Sequence, residues 1–224
     1  MQVRGCAVGR LPAHVGLIPD GLRRWAGANG STLHDAYLRG AEKVTELLLA
    51  LQQNEVQTVT VYNLSRANLA RPDDQLDAVF AASLHFLTTL VPDNFDTAKC
   101  SFALHGDRSL LPDKYVAAAR DLESTMTGDN FRINLLAAYD ANDELHAGYL
   151  RAQRDHSDIA EAFDIGDVDL IIRTTPEPLL SGFLPFQSQY AQLLFLTTPL
   201  NDLDVRHIDQ IIADYRRLPQ LHGR

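Results

Sequence analysis

The chain of 224 residues contains only two cysteines, Cys6 and Cys100, and it lacks any apolar run of about 18 residues that could span a membrane. The cysteines have no metal-ligand spacing, which indicates a reducing compartment. The N-terminal residues also lack the continuous hydrophobic core of a signal peptide. These absences together predict a cytoplasmic protein without a transmembrane segment.

Basic charge is scarce as well. Twenty lysines and arginines stand against 29 aspartates and glutamates, which gives a net charge of −9. Such an acidic balance disfavours nucleic acid as the main partner. Any cluster of arginines would therefore form a local basic site in an acidic protein.

Strand-like apolar stretches alternate with segments of helical periodicity. The strands are predicted at 15–18, 56–62, 100–104, 133–138, 168–173 and 193–197, and the helices around 37–51, 76–90, 114–125, 143–154 and 205–217. Ser31 or Thr32 is the predicted N-cap of the first of these helices. The alternation predicts an α/β fold with a six-stranded, mostly parallel sheet flanked by helices. Because no repeat or linker divides the chain, residues 1–224 are predicted to form a single domain.

The segment 14–26 carries the clearest chemical signal. A short apolar strand runs into Asp20 and Gly21, and Arg23 and Arg24 then open a helix beside Trp25, the only tryptophan. A glycine lets backbone approach a ligand, a helix N-terminus offers unpaired N–H groups, and arginines add charge, so this connection suits a diphosphate. Asp20 can hold a divalent cation that bridges to the phosphates. The alternative is a plain N-cap at Asp20 followed by solvated arginines.

Further polar residues follow other predicted strands. Ser65 and Asn68 come after the second strand, and Arg173 ends the fifth, so its side chain starts in the core. Ligands of open α/β sheets bind beyond the carboxyl ends of the strands, so these residues and Asp20 are expected to share one site. For Ser65, Asn68 and Arg71, the alternative is an ordinary role in a turn or a helix start.

Four ordered blocks of the chain, at 14–26, 62–72, 167–174 and 181–193, resemble the signatures of the cis-prenyltransferases, the undecaprenyl diphosphate synthase family. In the first block the matching residues are His14, Asp20, Gly21, Arg24, Trp25 and Ala26, whereas Leu22 and Arg23 replace the family's Asn-Gly. The resemblance implies a prenyltransferase of isoprenoid biosynthesis with Mg²⁺ as cofactor. It also implies a homodimer formed through the C-terminal part, and an apolar tunnel between the sheet and its helices.

The resemblance further implies a role for each matching position. Asp20 would hold Mg²⁺ and act in catalysis with Asn68. Arg24 and Arg71 would bind an allylic diphosphate, and Arg173 and Ser181 a second diphosphate. The full set of expected substrate-binding residues is Gly21, Leu22, Arg23, Arg24, Trp25, Ser65, Arg71, Arg173, Leu179 and Ser181.

The chain departs from the family pattern at positions that matter for the second substrate. Leu179 stands where the family has an arginine for the diphosphate of isopentenyl diphosphate, and Gln192 replaces a metal-binding glutamate. A neutral amide is a weaker ligand for magnesium than a carboxylate. Tyr37 replaces the histidine of His-x-x-Gly, and His34 lies one turn upstream. In the second block, Ala67 and Leu69 replace a glutamate and a tryptophan.

These departures favour an atypical member that resembles the irregular synthases of the cyclolavandulyl and isosesquilavandulyl type. Such enzymes join two allylic diphosphates, dimethylallyl or geranyl, into a branched or cyclised head-to-middle product. A short product is also expected, because residues on the tunnel wall could close it early: Asn63, Phe80, His85 and Phe86. Ordinary core packing is the alternative for these four.

Three competing functions stay open at this point. The first is regular cis-prenyl chain elongation with isopentenyl diphosphate. The second is an enzyme that passes a prenyl cation to water or another nucleophile. The third is a non-catalytic partner subunit of a cis-prenyltransferase, which the retained Asp20, Arg24, Arg71 and Arg173 disfavour.

Overall fold

A computed structural model describes residues 9–218, so Cys6 lies outside the described residues. Within them, six strands form one sheet with the order β3-β4-β2-β1-β5-β6, and every neighbouring pair is parallel. The strands are β1 (His14–Ile18), β2 (Thr58–Ser65), β3 (Cys100–His105), β4 (Phe131–Tyr139), β5 (Leu170–Arg173) and β6 (Gln192–Phe195). The predicted α/β fold with a six-stranded sheet is confirmed, and the sheet is entirely parallel.

Seven α-helices connect and cover the described strands. They are α1 (Leu22–Asn29), α2 (Leu33–Gln53), α3 (Asp73–His85), α4 (Val91–Asn94), α5 (Asp113–Thr125), α6 (Ala141–Asp155) and α7 (Arg206–Tyr215). Thr32 caps α2, because its hydroxyl accepts a hydrogen bond from the Asp35 amide at 3.0 Å. The helix predicted at 76–90 is divided, since a π-helical turn (Phe86–Leu90) separates α3 from α4. In the described part of the chain, no helix is both long and apolar enough to cross a bilayer.

Apolar side chains cover both faces of the sheet. On one face, alternate residues of β1 and β2 such as Leu17 and Val61 pack in the main core with Leu47 and Leu51 of α2. On the other face, a smaller cluster includes Tyr62, Ile171 and Phe183. Strands buried on both faces read as continuous apolar runs, which is why β1, β4 and β5 could be found from the sequence.

A chain of polar side chains crosses the second face of the sheet. His14 Nε2 lies 2.7 Å from Thr60 Oγ1, Asn134 Nδ2 donates to the same oxygen at 3.1 Å, and His105 Nε2 lies 3.2 Å from Asn134 Oδ1. Burial lowers the pKa of both histidines below its usual value. His14 therefore belongs to the sheet interior, although it stands in the block that resembles the first family signature.

The all-parallel arrangement places the carboxyl ends of all strands along one edge of the sheet. Asp20 follows β1, Ser65 ends β2 and Arg173 ends β5. Since β1 pairs with both β2 and β5, these residues lie on three adjacent strands. The fold thus brings the sequence-predicted residues to one place.

Candidate active site

A pocket of about 600 Å³ lies at the carboxyl ends of β1, β2 and β5. Of the twelve expected site residues, eleven line it: Asp20, Gly21, Leu22, Arg23, Arg24, Ser65, Asn68, Arg71, Arg173, Leu179 and Ser181. Trp25 is not among the lining residues. Its indole Nε1 donates to Asp202 Oδ1 at 2.9 Å, and the Arg39 guanidinium lies 5.2 Å from its ring centre. The structure therefore places Trp25 beside the pocket as a packing residue.

Two threonines hold Asp20, since Thr174 bonds its backbone and the Thr175 hydroxyl donates to its Oδ2 at 3.3 Å. The Thr174 hydroxyl accepts from the Asp20 amide at 2.8 Å and donates to the Asp20 carbonyl at 2.9 Å. Gly21 follows with a φ of +92°, and a Cβ there would lie 3.2 Å from Thr175 Cγ2. Glycine is required because L side chains rarely adopt this conformation. The Asp20 carboxylate is thus fixed at the pocket wall.

Arg173 organises the wall next to Asp20 and is itself buried. Its Nη2 donates to Asp20 Oδ2 at 2.7 Å, its Nη1 donates to Ser181 Oγ at 2.9 Å and to the Leu179 carbonyl, and its Nε donates to Thr175 Oγ1 at 3.0 Å. A guanidinium bonded on all three nitrogens keeps one orientation. Arg173 therefore links Asp20 to the loop that carries Leu179 and Ser181.

An exposed ion pair crosses the pocket mouth. Both terminal nitrogens of Arg24 donate to the carboxylate of Glu177, which lies in the loop after β5. This contact lowers the pKa of Glu177 to about 2, chiefly through the hydrogen bond from Arg24. Sequence reasoning did not select Glu177 or Thr175. The signal for both was their position within four residues of Arg173, at the end of a buried strand.

Arg71 lies at the wall formed by α2 and the turn after β2. Burial lowers its pKa, and the charge of Arg23 acts in the same direction, whereas the nearby Tyr37 hydroxyl opposes the shift. Burial likewise raises the pKa of Tyr37. Tyr37 therefore lines the pocket on the side that faces Arg71, and His34 is not among the lining residues. Three guanidinium groups, from Arg23, Arg24 and Arg71, thus converge on one mouth.

The donor set fits a magnesium ion that arrives with a diphosphate. Within residues 9–218, no group of three or more histidine, cysteine, aspartate or glutamate side chains could cage a metal. Mg²⁺ usually binds through one or two carboxylates together with substrate phosphates and water. Asp20 supplies one such carboxylate, and its side chain is 39% exposed to the pocket.

Gln192 does not reach this site within the same chain. It pairs with Leu170 at the start of β5, whereas Arg173 pairs with Phe195 three residues further along β6. Three residues of strand span about 10 Å. Gln192 instead lines a groove at the amino ends of the strands together with His14. Its exchange for the family's glutamate therefore leaves the described surroundings of Asp20 unaltered.

A parallel α/β sheet with a pocket of converging arginines at its carboxyl edge defines an anion-binding class of protein, suited to diphosphate groups. A family model described as "Putative undecaprenyl diphosphate synthase" matches residues 18–223. The chain belongs to this family of prenyltransferases.

Curated relatives agree with that assignment, and a solved structure shares the fold. The chain is 30% identical to a tritrans,polycis-undecaprenyl-diphosphate synthase (geranylgeranyl-diphosphate specific) of Pyrobaculum aerophilum, over 96% of this chain and 97% of the relative. It is 29% identical to isoprenyl transferase 2 of Bradyrhizobium diazoefficiens, over 95% and 90% of the two chains. Lavandulyl diphosphate synthase from Lavandula x intermedia, solved with dimethylallyl diphosphate, shares the fold with a TM-score of 0.87. That match has 22% identity and covers 96% of this chain and 99% of the other.

Proposed function

We propose that this prenyltransferase joins two allylic prenyl diphosphates, dimethylallyl or geranyl, into a branched or cyclised head-to-middle prenyl diphosphate. Leu179 is the observation that carries the proposal. Its side chain is 58% exposed at the pocket wall, next to Arg173, where the family pattern has a second arginine. An exposed leucine in a pocket suits the hydrocarbon part of a second allylic substrate better than its diphosphate. The lavandulyl synthase shares the fold at low identity, so the proposal does not depend on it.

The first half of the reaction uses the wall with Asp20. Arg24 and Arg71 bind the diphosphate of the donor, and Asp20 would hold a magnesium ion that comes with it. The C1–O bond breaks, its electron pair leaves with the diphosphate, and an allylic cation forms. Magnesium bound at Asp20 would neutralise charge that develops on the leaving group. The arginines act in the same way, because they offer donors to the oxygens that gain charge.

The second half uses the wall with Arg173. Arg173 and Ser181 bind the diphosphate of the acceptor, which this molecule retains in the product. The π electrons of the acceptor's internal double bond form the new C–C bond with the cation, and a tertiary cation results. Transfer of a proton from a neighbouring carbon to the diphosphate released in the first half ends the reaction without oxidation or reduction. Asn68, at the edge of the same pocket, is the proposed residue that positions the reacting chains.

Regular cis-prenyl elongation is the second candidate, and the names of the 30% and 29% identical relatives favour it. Both candidates use Asp20, Arg24 and Arg71 in the same way. They differ in the second substrate, which is isopentenyl diphosphate in regular elongation. Leu179 is the residue that separates them.

Incubation with defined substrates tests the proposal. The purified protein receives Mg²⁺ and dimethylallyl diphosphate, with or without isopentenyl diphosphate, and the products are dephosphorylated and identified by mass spectrometry. A branched or cyclic alcohol formed without isopentenyl diphosphate is the expected result. A linear product that requires isopentenyl diphosphate would assign regular elongation instead. The D20N variant is the control for product formation at this site.

We also propose a homodimer that buries the exposed edge of the sheet. β6 is an edge strand, and the apolar side chains of Tyr190 and Leu193 are 62% and 47% exposed beside it. Exposed edge strands with apolar side chains are suited to pairing with a second chain. Light scattering should give the mass of a dimer for the wild type and of a monomer for Leu193→Asp. A monomeric wild type would contradict the proposal.

A further inference from the structure

The loop after β5 has a strained backbone near its end. Three of its residues have a positive φ, which is +54° at Ser181, +83° at Gly182 and +36° at Leu184. Glycine adopts such angles at little cost, whereas residues with a side chain adopt them only where the surrounding structure holds them there. The segment 179–184, which we call the acceptor loop, is therefore fixed by contacts with other parts of the fold.

Phe183 anchors the acceptor loop on the second face of the sheet. Its side chain is fully buried in the smaller core cluster. Its ring lies against Gly16 of β1, where a Cβ would approach Phe183 Cε1 to 2.5 Å. The ring centre also lies 5.6 Å from that of Tyr62 on β2. The glycine thus leaves room for the ring of Phe183 in the middle of the sheet.

Tyr62 adds a hydrogen bond to this anchor. Its hydroxyl donates to the Ser181 carbonyl at 3.0 Å. Burial raises the pKa of Tyr62 above its usual value, so the hydroxyl keeps its proton and remains a donor. Tyr62 belongs to the smaller core cluster and also lines the pocket. It therefore connects the packed face of the sheet with the pocket wall that carries Ser181.

Ser181 is held from two sides as a result. Tyr62 bonds its carbonyl, and Arg173 Nη1 donates to its Oγ at 2.9 Å. A serine hydroxyl that accepts one hydrogen bond can still donate its own proton, here to a phosphate oxygen. The direction of this hydroxyl depends on the backbone of Ser181, and the bond from Tyr62 fixes that backbone. Without the bond, the carbonyl can turn and Ser181 can leave its strained conformation.

From this geometry we infer that Tyr62 is a positioning residue for the diphosphate of the acceptor and acts through the backbone of Ser181. The inference rests on the proposed function in one respect, namely that Arg173 and Ser181 bind the second diphosphate. It adds a residue of β2 to that subsite. The donor subsite with Arg24 and Arg71 does not contain this bond, so a change at Tyr62 should act on one of the two subsites.

Binding of unreactive ligands tests the inference without any need for turnover. Dimethylallyl thiolo-diphosphate is titrated calorimetrically into the protein with Mg²⁺, and isopentenyl diphosphate is titrated into protein that holds one equivalent of this analogue. The affinity that falls in Arg24→Gln belongs to the donor subsite, and the affinity that falls in Ser181→Ala belongs to the acceptor subsite. In Tyr62→Phe the acceptor affinity should fall by about three- to tenfold, the scale of one hydrogen bond, with the donor affinity unchanged.

A double-mutant cycle separates positioning from a general loss of structure. If Tyr62 acts through Ser181, the double variant Tyr62→Phe/Ser181→Ala should bind the acceptor ligand as weakly as Ser181→Ala alone, because both changes disrupt one interaction. Tyr139→Phe is the matched control. Its ring centre lies 6.0 Å from that of Tyr62, and its hydroxyl donates to Glu144 instead of the acceptor loop. Both affinities of this control should equal those of the wild type.

Gly182→Ala disturbs the acceptor loop without entering the core, because Gly182 is exposed. Alanine is strained at the φ of +83° found there, so the loop should shift towards an ordinary conformation. The acceptor affinity should fall as it does in Tyr62→Phe, again with the donor affinity unchanged. This variant keeps the inference testable if Tyr62→Phe does not fold.

The outcomes decide the inference separately from the proposed function. Equal losses at both subsites, an unchanged acceptor affinity, additive losses in the cycle, or a wild type without a second subsite would overturn it. A loss confined to the acceptor subsite supports it, whichever of the two ligands binds there. If isopentenyl diphosphate binds there and the dimethylallyl analogue does not, the inference is supported and only the proposed head-to-middle chemistry fails.

Discussion

The pocket has one wall with Arg24 and another with Arg173, and the two arginines differ in how many bonds they make to the rest of the protein. The Arg24 side chain is 58% exposed and has the exposed Glu177 as its partner, whereas the Arg173 side chain is 7% exposed and bonds to four groups of the chain. An exposed pair contributes little to stability, whereas a buried charge network supports the surrounding fold. The wall with Arg24 can therefore rearrange around a ligand, and the wall with Arg173 is preorganised.

Substitution of Arg173 should have the largest effect and should reveal this difference directly. Arg173→Gln leaves Asp20 without its cation and removes charged hydrogen bonds worth about 1.5–3 kcal/mol each. We expect a clear fall in the free energy of unfolding, and a loss of about 10²–10³ in kcat, the scale seen when one such donor is removed. Denaturant unfolding and product assays measure the two effects.

Arg24→Gln is the comparison for that experiment. Because Arg24 lies in the exposed pair, this variant should lose activity while its free energy of unfolding changes by less than about 1 kcal/mol. Equal stability losses in Arg24→Gln and Arg173→Gln would show that the two walls do not differ in the way that we propose.

An arginine at position 179 should give the wall with Arg173 an exposed guanidinium, as the wall with Arg24 already has. Leu179→Arg adds a guanidinium to the pocket where the family pattern has one, so use of isopentenyl diphosphate should rise by about tenfold or more, as expected for one charged hydrogen bond. Competition between dimethylallyl and isopentenyl diphosphate measures the change. Leu150→Arg, at an exposed leucine on α6, is the control for added charge. An unchanged substrate ratio in Leu179→Arg would remove the main support for irregular coupling.

Much of this comparison was predictable from sequence, and the reasons for the exceptions are physical. Arg24 and Arg173 could be found because Arg24 comes shortly after one buried strand and Arg173 ends another. Trp25 was expected at the pocket, but its indole instead bonds Asp202 and stacks with Arg39, two contacts between residues far apart in the sequence that no local pattern shows. β2 was predicted to end at residue 62, because a period-two pattern gives no sign of a bulge at Asn63. The Asn63 amide donates to Ser83 and Tyr115, which lie 20 and 52 positions away in the sequence, so only the folded chain brings these groups together.

Neutralising Glu177 should have a smaller effect, confined to the exposed wall. In Glu177→Gln the carboxylate no longer competes with a phosphate for Arg24. Since exposed ion pairs contribute little, KM for the allylic diphosphate should fall only by about two- to fivefold, with kcat little changed. Asp155→Asn, which disrupts the exposed pair with Arg154 far from the pocket, is the control. A rise in KM for Glu177→Gln would show instead that Glu177 itself supports binding.

The smallest expected effect is the pH dependence of stability, and it tests whether the pocket is affected by protonation inside the sheet that carries both walls. Burial lowers the pKa of His14 and His105, so these two side chains bind protons more readily in the unfolded chain than in the folded chain. Their neutral state therefore supports folding above the unfolded pKa of about 6.5, and this support is lost as the pH falls below it. Between pH 7.5 and 5.5 the Tm should drop by about 2–4 °C for each 1 kcal/mol that is lost. His105→Asn should weaken this dependence, whereas the exposed His207→Asn should not. Neither His14 nor His105 lines the pocket. At a temperature well below Tm, the affinity for an unreactive allylic diphosphate analogue should therefore not change through the protonation of these histidines. A loss of affinity in parallel with the loss of stability would mean that the pocket depends on the protonation state of the sheet.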